Sequence, residues 1–236
     1  MRKAKTYAII GGTSGMGFGL AQRLVERGDR VLIGGRSSGR LEQAKQQLGP
    51  LAIVRTVDME DRASLATYFA GEDELAGLFT PGATYRTASF RDADTETAES
   101  PFRAKFWAQY WAVHTALPHL ATDAAIVLMS GAASVRPLGN PAYSACNAAI
   151  EGLARALAVE LRPIRVNCLS PGTIDSELWR NRDSAFREPV FDGWRALNLT
   201  GEVGTVDDAV DAALFLLDNG NMNGSTLYND GGYTMR

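Results

Sequence analysis

The 236-residue chain has little of several things: two cysteines, two histidines, no long hydrophobic run and almost no charge imbalance. Cys146 and Cys168 lie in apolar stretches, which excludes a disulfide framework or a four-ligand zinc site and favours reduced, buried thiols. His114 and His119 have no companion at metal-ligand spacing, so they read as structural or surface residues and no metal site is expected. With 24 Lys and Arg against 27 Asp and Glu, the net charge of -3 gives no basic footprint for nucleic acid. The apolar stretch Ala124 to Met129 falls far short of the roughly 20 residues a bilayer span needs. The apolar run after the basic N-terminus breaks at Gly11-Gly12, too soon for a secretion signal, and the expected location is cytoplasmic. No repeat or low-complexity segment is present.

What remains is a regular alternation. Thr6 to Ile10 is rich in strand formers and ends in glycines, and Phe18 to Arg27 carries Leu20, Leu24 and Val25 at helical spacing before Gly28. Strand signals return at 31–33, 51–57, 75–79, 125–129, 164–169 and 226–228. Helical signals lie at 40–48, 63–70, 102–117, 143–161 and 207–217. This pattern predicts an α/β fold: one Rossmann-type, doubly wound parallel sheet with helices on both faces and ligands beyond the C-terminal strand ends. Two stretches break the alternation. Residues 84–100 are polar, and 175–198 mix Trp179, Phe186, Phe191 and Trp194 with arginines and balancing carboxylates. The second reads as a substrate lid or as a surface or oligomer contact.

Between the first strand and first helix runs Gly11-Gly12-Thr13-Ser14-Gly15-Met16-Gly17, where glycines allow a tight turn and backbone approach to a pyrophosphate at a helix N-terminus. Arg36 follows nineteen residues after Gly17, beside Ser37, and no carboxylate closes the second strand. An acidic residue there would bind a ribose 2′-hydroxyl, whereas Arg36 offers a fork of donors to a 2′-phosphate, so NADP(H) is expected over NAD(H). Asp58, after the third strand, suits either an adenine amino group or a helix cap.

The chain resembles the short-chain dehydrogenase/reductase family over nearly its whole length. Gly11, Gly15 and Gly17 match the family's Gly-x-x-x-Gly-x-Gly turn, and Ser130 precedes Tyr143 by thirteen residues as the family's catalytic Ser and Tyr do. Ser170-Pro171-Gly172-Thr173-Ile174 is similar to the segment beside the nicotinamide, and Gly224 with Asp230-Gly231-Gly232 to the C-terminal signature. The resemblance implies a single domain over 1–236, a homodimer or homotetramer, and Pro171, Gly172 and Ile174 near the cofactor. It also implies ketone–alcohol interconversion, with Tyr143 as proton carrier and Ser130 bonded to the reacting oxygen.

Three departures mark a divergent branch. The family's Lys, four residues after the Tyr, is here Asn147, and Lys105 stands where the family usually has an Asn. Either the two have exchanged roles, with Lys105 supplying the charge beside Tyr143, or Lys105 is a surface lysine and Asn147 a remnant. The family's Asn-Asn-Ala-Gly is matched only by Phe79-Thr80-Pro81-Gly82, in which Gly82 still permits close approach to the adenine ribose. Ile10 stands in the place of the usual Thr before the turn. An NADP(H)-dependent oxidoreductase acting on a small aromatic or hydrophobic substrate is the leading expectation. A non-redox dehydratase, isomerase or cyclase, or a non-catalytic binding protein on the same scaffold, are the alternatives.

Overall fold

The computed structural model describes residues 3–180 and 183–235. In chain order it runs β1 (Thr6–Ile10), α1 (Gly15–Glu26), β2 (Arg30–Gly35), α2 (Ser38–Leu48), β3 (Ala52–Thr56), α3 (Arg62–Phe69) and β4 (Leu75–Phe79). There follow α4 (Thr95–Pro101), a π-helical stretch Phe102–Trp107, α5 (Ala108–Ala116), β5 (Leu120–Met129), α6 (Pro141–Glu160) and β6 (Arg165–Pro171). The last part holds β7 (Ile174–Asp175), α7 (Glu177–Arg180), α8 (Ser184–Leu197), β8 (Gly204–Thr205), α9 (Val206–Asp218) and β9 (Thr226–Asn229).

Seven strands form one parallel sheet in the order β3-β2-β1-β4-β5-β6-β9, with β7 and β8 pairing separately. Successive strand residues point to opposite faces, so each strand feeds two cores. Ile9, Ile33 and Val127 meet Leu20 and Leu24 of α1 and Leu216 of α9 on one face. Ala8, Leu32 and Ile126 meet Tyr68 of α3, Val113 of α5 and Ile150 of α6 on the other. The strand order reverses between β1 and β4, and the crevice beyond those two strand ends is where such sheets bind ligands. No helix among the described residues is long and apolar enough to cross a membrane.

The two irregular stretches are only partly loops. Asp94 caps a helix by accepting from Thr97 N at 2.7 Å, so the helix expected at 102 begins at Thr95. Pro101 inside it has no N–H to donate, and the next six residues wind as a π-helix. The wider turn brings Lys105 to the inner face. In 175–198, Asp183 caps α8, and Trp179 packs edge-on against Phe191 with ring centroids 5.6 Å apart. Asn181 and Arg182 lie outside the described residues.

Candidate active site

The glycine turn closes against the end of β4. Gly11 N donates to Gly34 O at 2.8 Å, and at Gly11 (φ +97°) a Cβ would lie 2.5 Å from Gly82 Cα. A Cβ on Gly17 would come within 2.2 Å of Gly11 O. Backbone therefore packs on backbone at both positions, and only glycine fits. Helix α1 starts at Gly15 with no side-chain cap from Ser14 and no acidic residue in its first turn. Its N-terminal amides and positive dipole end are left for an anion.

These atoms form one wall of a cavity of about 470 Å³. Gly11, Thr13, Ser14, Gly15, Met16, Gly17, Arg36, Ser37, Asp58 and Gly82, the residues the sequence suggests for cofactor binding, all line it. Arg40 and Ser176 line it as well and were not singled out. Arg40 was findable: it lies one turn beyond Arg36 at the start of α2, whose N-cap is Ser37. Arg36 Nη2 donates to Thr84 Oγ1 at 2.8 Å across the mouth. Asp58 accepts from Glu60 N at 3.0 Å, while the cap of α3 is Asp61. Pro171, Gly172 and Ile174 are not among the lining residues; Gly172 is tied to β9 through its N–H to Asn229 O at 3.1 Å. A glycine cradle that any Cβ would fill, open helix amides and two guanidinium groups fit a phosphorylated dinucleotide.

Ala104 carries the cavity wall to the neighbouring cluster. Lys105 is 4% exposed, which removes the surface-lysine alternative. Its Nζ donates to Ser130 O at 2.8 Å and to Asn147 Oδ1 at 2.5 Å, and lies 5.1 Å from the Tyr143 ring centroid. Burial alone would raise the Tyr143 pKa. The Lys105 charge and hydrogen bonding from Tyr85 and the Asn147 amide together outweigh it and hold the phenol below the ordinary tyrosine value. Asn147 Nδ2 is buried and has no fully formed hydrogen bond of its own.

Ser130 is placed differently from expectation. Its Oγ lies against Asn147 O at 3.1 Å and donates to Glu151 Oε1 at 2.9 Å, where Ser134 donates as well, while Tyr228 donates to Oε2 of the same carboxylate. The cause is strand alternation: the neighbour Gly131 is fully extended, and it is Gly131 that faces Tyr143.

Two residues in the cluster had not been identified. Gln109, one turn after Lys105, accepts from Thr80 Oγ1 at 2.8 Å and Met129 N at 2.7 Å and donates to Met129 O at 3.0 Å. It braces the ends of β4 and β5. A polar residue on an otherwise apolar helix face was the available signal. Tyr85, from the polar loop after β4, stacks on Tyr143 with centroids 5.1 Å apart and planes 21° off parallel. Of the weaker candidates, Cys146 is buried with Sγ 3.2 Å from Pro101 O, and His119 Nδ1 bonds Glu72 O at 2.7 Å.

A Rossmann-type sheet with a phosphate-binding turn at its switch point and a tyrosine–lysine pair beside it is the architecture of dinucleotide-dependent oxidoreductases. The chain matches the family model described as Enoyl-(Acyl carrier protein) reductase over residues 11–234, and it belongs to the short-chain dehydrogenase/reductase family. It is an oxidoreductase by that membership. It is similar to MalC of Malbranchea aurantiaca, a short-chain dehydrogenase/reductase 28% identical over 99% of this chain and 96% of that one. The solved structure described as MalC Reductase/Diels-Alderase superposes with a TM-score of 0.89 at 26% identity, covering 99% of this chain and 97% of that one. A small-chain dehydrogenase in complex with NADPH gives 0.82 at 27% identity, covering 99% and 100%. The NADPH-bound short chain oxidoreductase from Pseudomonas aeruginosa PAO1, described as containing an atypical catalytic center, gives 0.88 at 25% identity, covering 97% and 96%.

Proposed function

We propose that the protein is an NADP(H)-dependent oxidoreductase that interconverts a ketone and a secondary alcohol on a small aromatic or hydrophobic substrate. The observation that carries this reading is the buried Lys105 charge held 5.1 Å from the Tyr143 ring, next to a cavity walled by the glycine turn and Arg36. The turn at 11–17 would hold the pyrophosphate, Arg36 and Arg40 the 2′-phosphate, and Gly82 and Asp58 the adenosine. The bound dinucleotide supplies or accepts a hydride at its nicotinamide ring.

The remaining work belongs to this chain. Tyr143 gives its proton to the substrate oxygen in reduction and takes it back in oxidation. Lys105 stabilises the phenolate left behind, and Asn147 fixes the ammonium through Oδ1 while its amide also hydrogen-bonds the Tyr143 phenol. Lys105 and Asn147 have thereby exchanged the places their relatives give to lysine and asparagine. The NADPH complexes of two relatives support the cofactor choice. The stacked Tyr85 and Tyr143 rings support a flat substrate, with 175–198 as its lid. Exposed Trp107, before α5, and Val159 of α6 support a homodimer or homotetramer built on those helices.

The likeness to MalC favours one further reading, ring closure without net redox in the same pocket. Quenching of the four tryptophans on titration with NADPH and NADH tests the cofactor assignment. Saturable NADPH binding that is lost in Arg36→Asp is expected. Binding of neither dinucleotide overturns it.

A further inference from the structure

The Tyr143 hydroxyl has two neighbours that the chemistry above leaves unused. One is a bare stretch of backbone: a Cβ on Gly131 would lie 3.0 Å from Tyr143 Oη and 3.4 Å from Asn147 Nδ2. No side-chain hydroxyl from the end of β5 therefore reaches the phenol, because the Ser130 hydroxyl is engaged with Glu151. The other is Tyr85. Its ring stacks on Tyr143, and Lys105 Nζ lies 5.8 Å from its centroid as well as 5.1 Å from that of Tyr143. One ammonium thus serves two stacked π-faces.

We infer that Tyr85 is the positioning residue of Tyr143: its hydroxyl donates to the Tyr143 oxygen and its ring holds the Tyr143 ring against Lys105, replacing a hydroxyl absent from the strand end. The inference rests on Tyr143 being the proton carrier. The two phenols are pushed in opposite senses, Tyr85 upward by burial and by the Tyr143 charge, Tyr143 downward by Lys105 against its own burial. Tyr143 therefore ionises first, and Tyr85 stays protonated to donate. The other groups facing Tyr143 come from α6: the uncharged Asn147 amide, and the Cys146 thiol, which burial pushes up to about 11.

Ultraviolet difference titration of tyrosinate in the full chain tests this without any substrate. Tyr143→Phe identifies the first transition among seven tyrosines. In Tyr85→Phe, which keeps the ring, that transition is expected to move to higher pH. The pH profile of NADPH-dependent reduction of an aromatic ketone should move in parallel. A transition unchanged in Tyr85→Phe overturns the inference and leaves Tyr143 as proton carrier. If the first transition survives in Tyr143→Phe, the role of Tyr143 falls and the inference falls with it.

Discussion

Lys105 and Asn147 meet with Nζ 2.5 Å from Oδ1, a buried charge held by a neutral amide across the gap between the π-helical stretch and α6. The amide accepts from the ammonium without neutralising it, so the full charge acts on Tyr143. A carboxylate in its place would have cancelled the field that holds the phenol below its ordinary pKa.

Replacement of Lys105 by methionine tests that field. The volume is nearly kept and the charge is lost, leaving burial to drive the Tyr143 pKa upward. Reduction uses the protonated phenol and oxidation the phenolate. In the wild type, reduction therefore declines and oxidation rises as pH climbs through the lowered Tyr143 pKa. In Lys105→Met both limbs move to higher pH, and oxidation at neutral pH falls by about 100-fold or more. Rate profiles in both directions check this.

Cofactor choice turns on Arg36. Arg36→Asp replaces a fork of donors by a repelling carboxylate where a 2′-phosphate would sit, while a 2′-hydroxyl gains an acceptor. NADPH affinity is expected to fall by about 100-fold and NADH affinity to hold or improve. Fluorescence titration of both nucleotides reads the switch.

Gly17→Ala places a methyl 2.2 Å from Gly11 O, against backbone with no flexible end to give way. The turn must open, costing roughly 1–3 kcal/mol of stability and moving the amides that face the phosphates. A lowered Tm together with lost nucleotide binding is expected. Gly39, whose added Cβ meets nothing within 4 Å, is the control: Gly39→Ala should bind normally.

Gln109→Leu keeps bulk and deletes the brace between β4 and β5. It strands the Met129 N–H and the Thr80 hydroxyl, both buried, at a cost of about 2–4 kcal/mol. For a chain of this size the melting temperature should drop by roughly 5–15 °C. Gln109→Glu, which keeps an acceptor for both donors, should fall between the two.

Strand and helix alternation was legible because buried parallel strands leave short apolar runs: Thr6–Ile10 and Leu75–Phe79 end where the residues say they should. The glycine turn was legible because close backbone approach restricts the residue type. The orientation of Ser130 was not, since a one-residue alternation at the strand end decides whether it or Gly131 meets Tyr143. Spacing between two motifs does not carry that phase. The inward aim of Lys105 depends on a π-turn that follows Pro101, a change of helix pitch that a count at 3.6 residues per turn misses. Tyr85 sits in a polar, non-periodic loop where only the tertiary fold brings it over the site.

The most direct measurement follows the hydride. NADPH deuterated at C4 of its nicotinamide is incubated with the protein and a set of aromatic and aliphatic ketones, and the products are read by NMR. The account predicts deuterium at the carbinol carbon of an alcohol, formed with consumption of one NADPH and abolished in Tyr143→Phe. Substrate converted with no NADPH consumed, or deuterium transfer that persists undiminished in Tyr143→Phe, would contradict it.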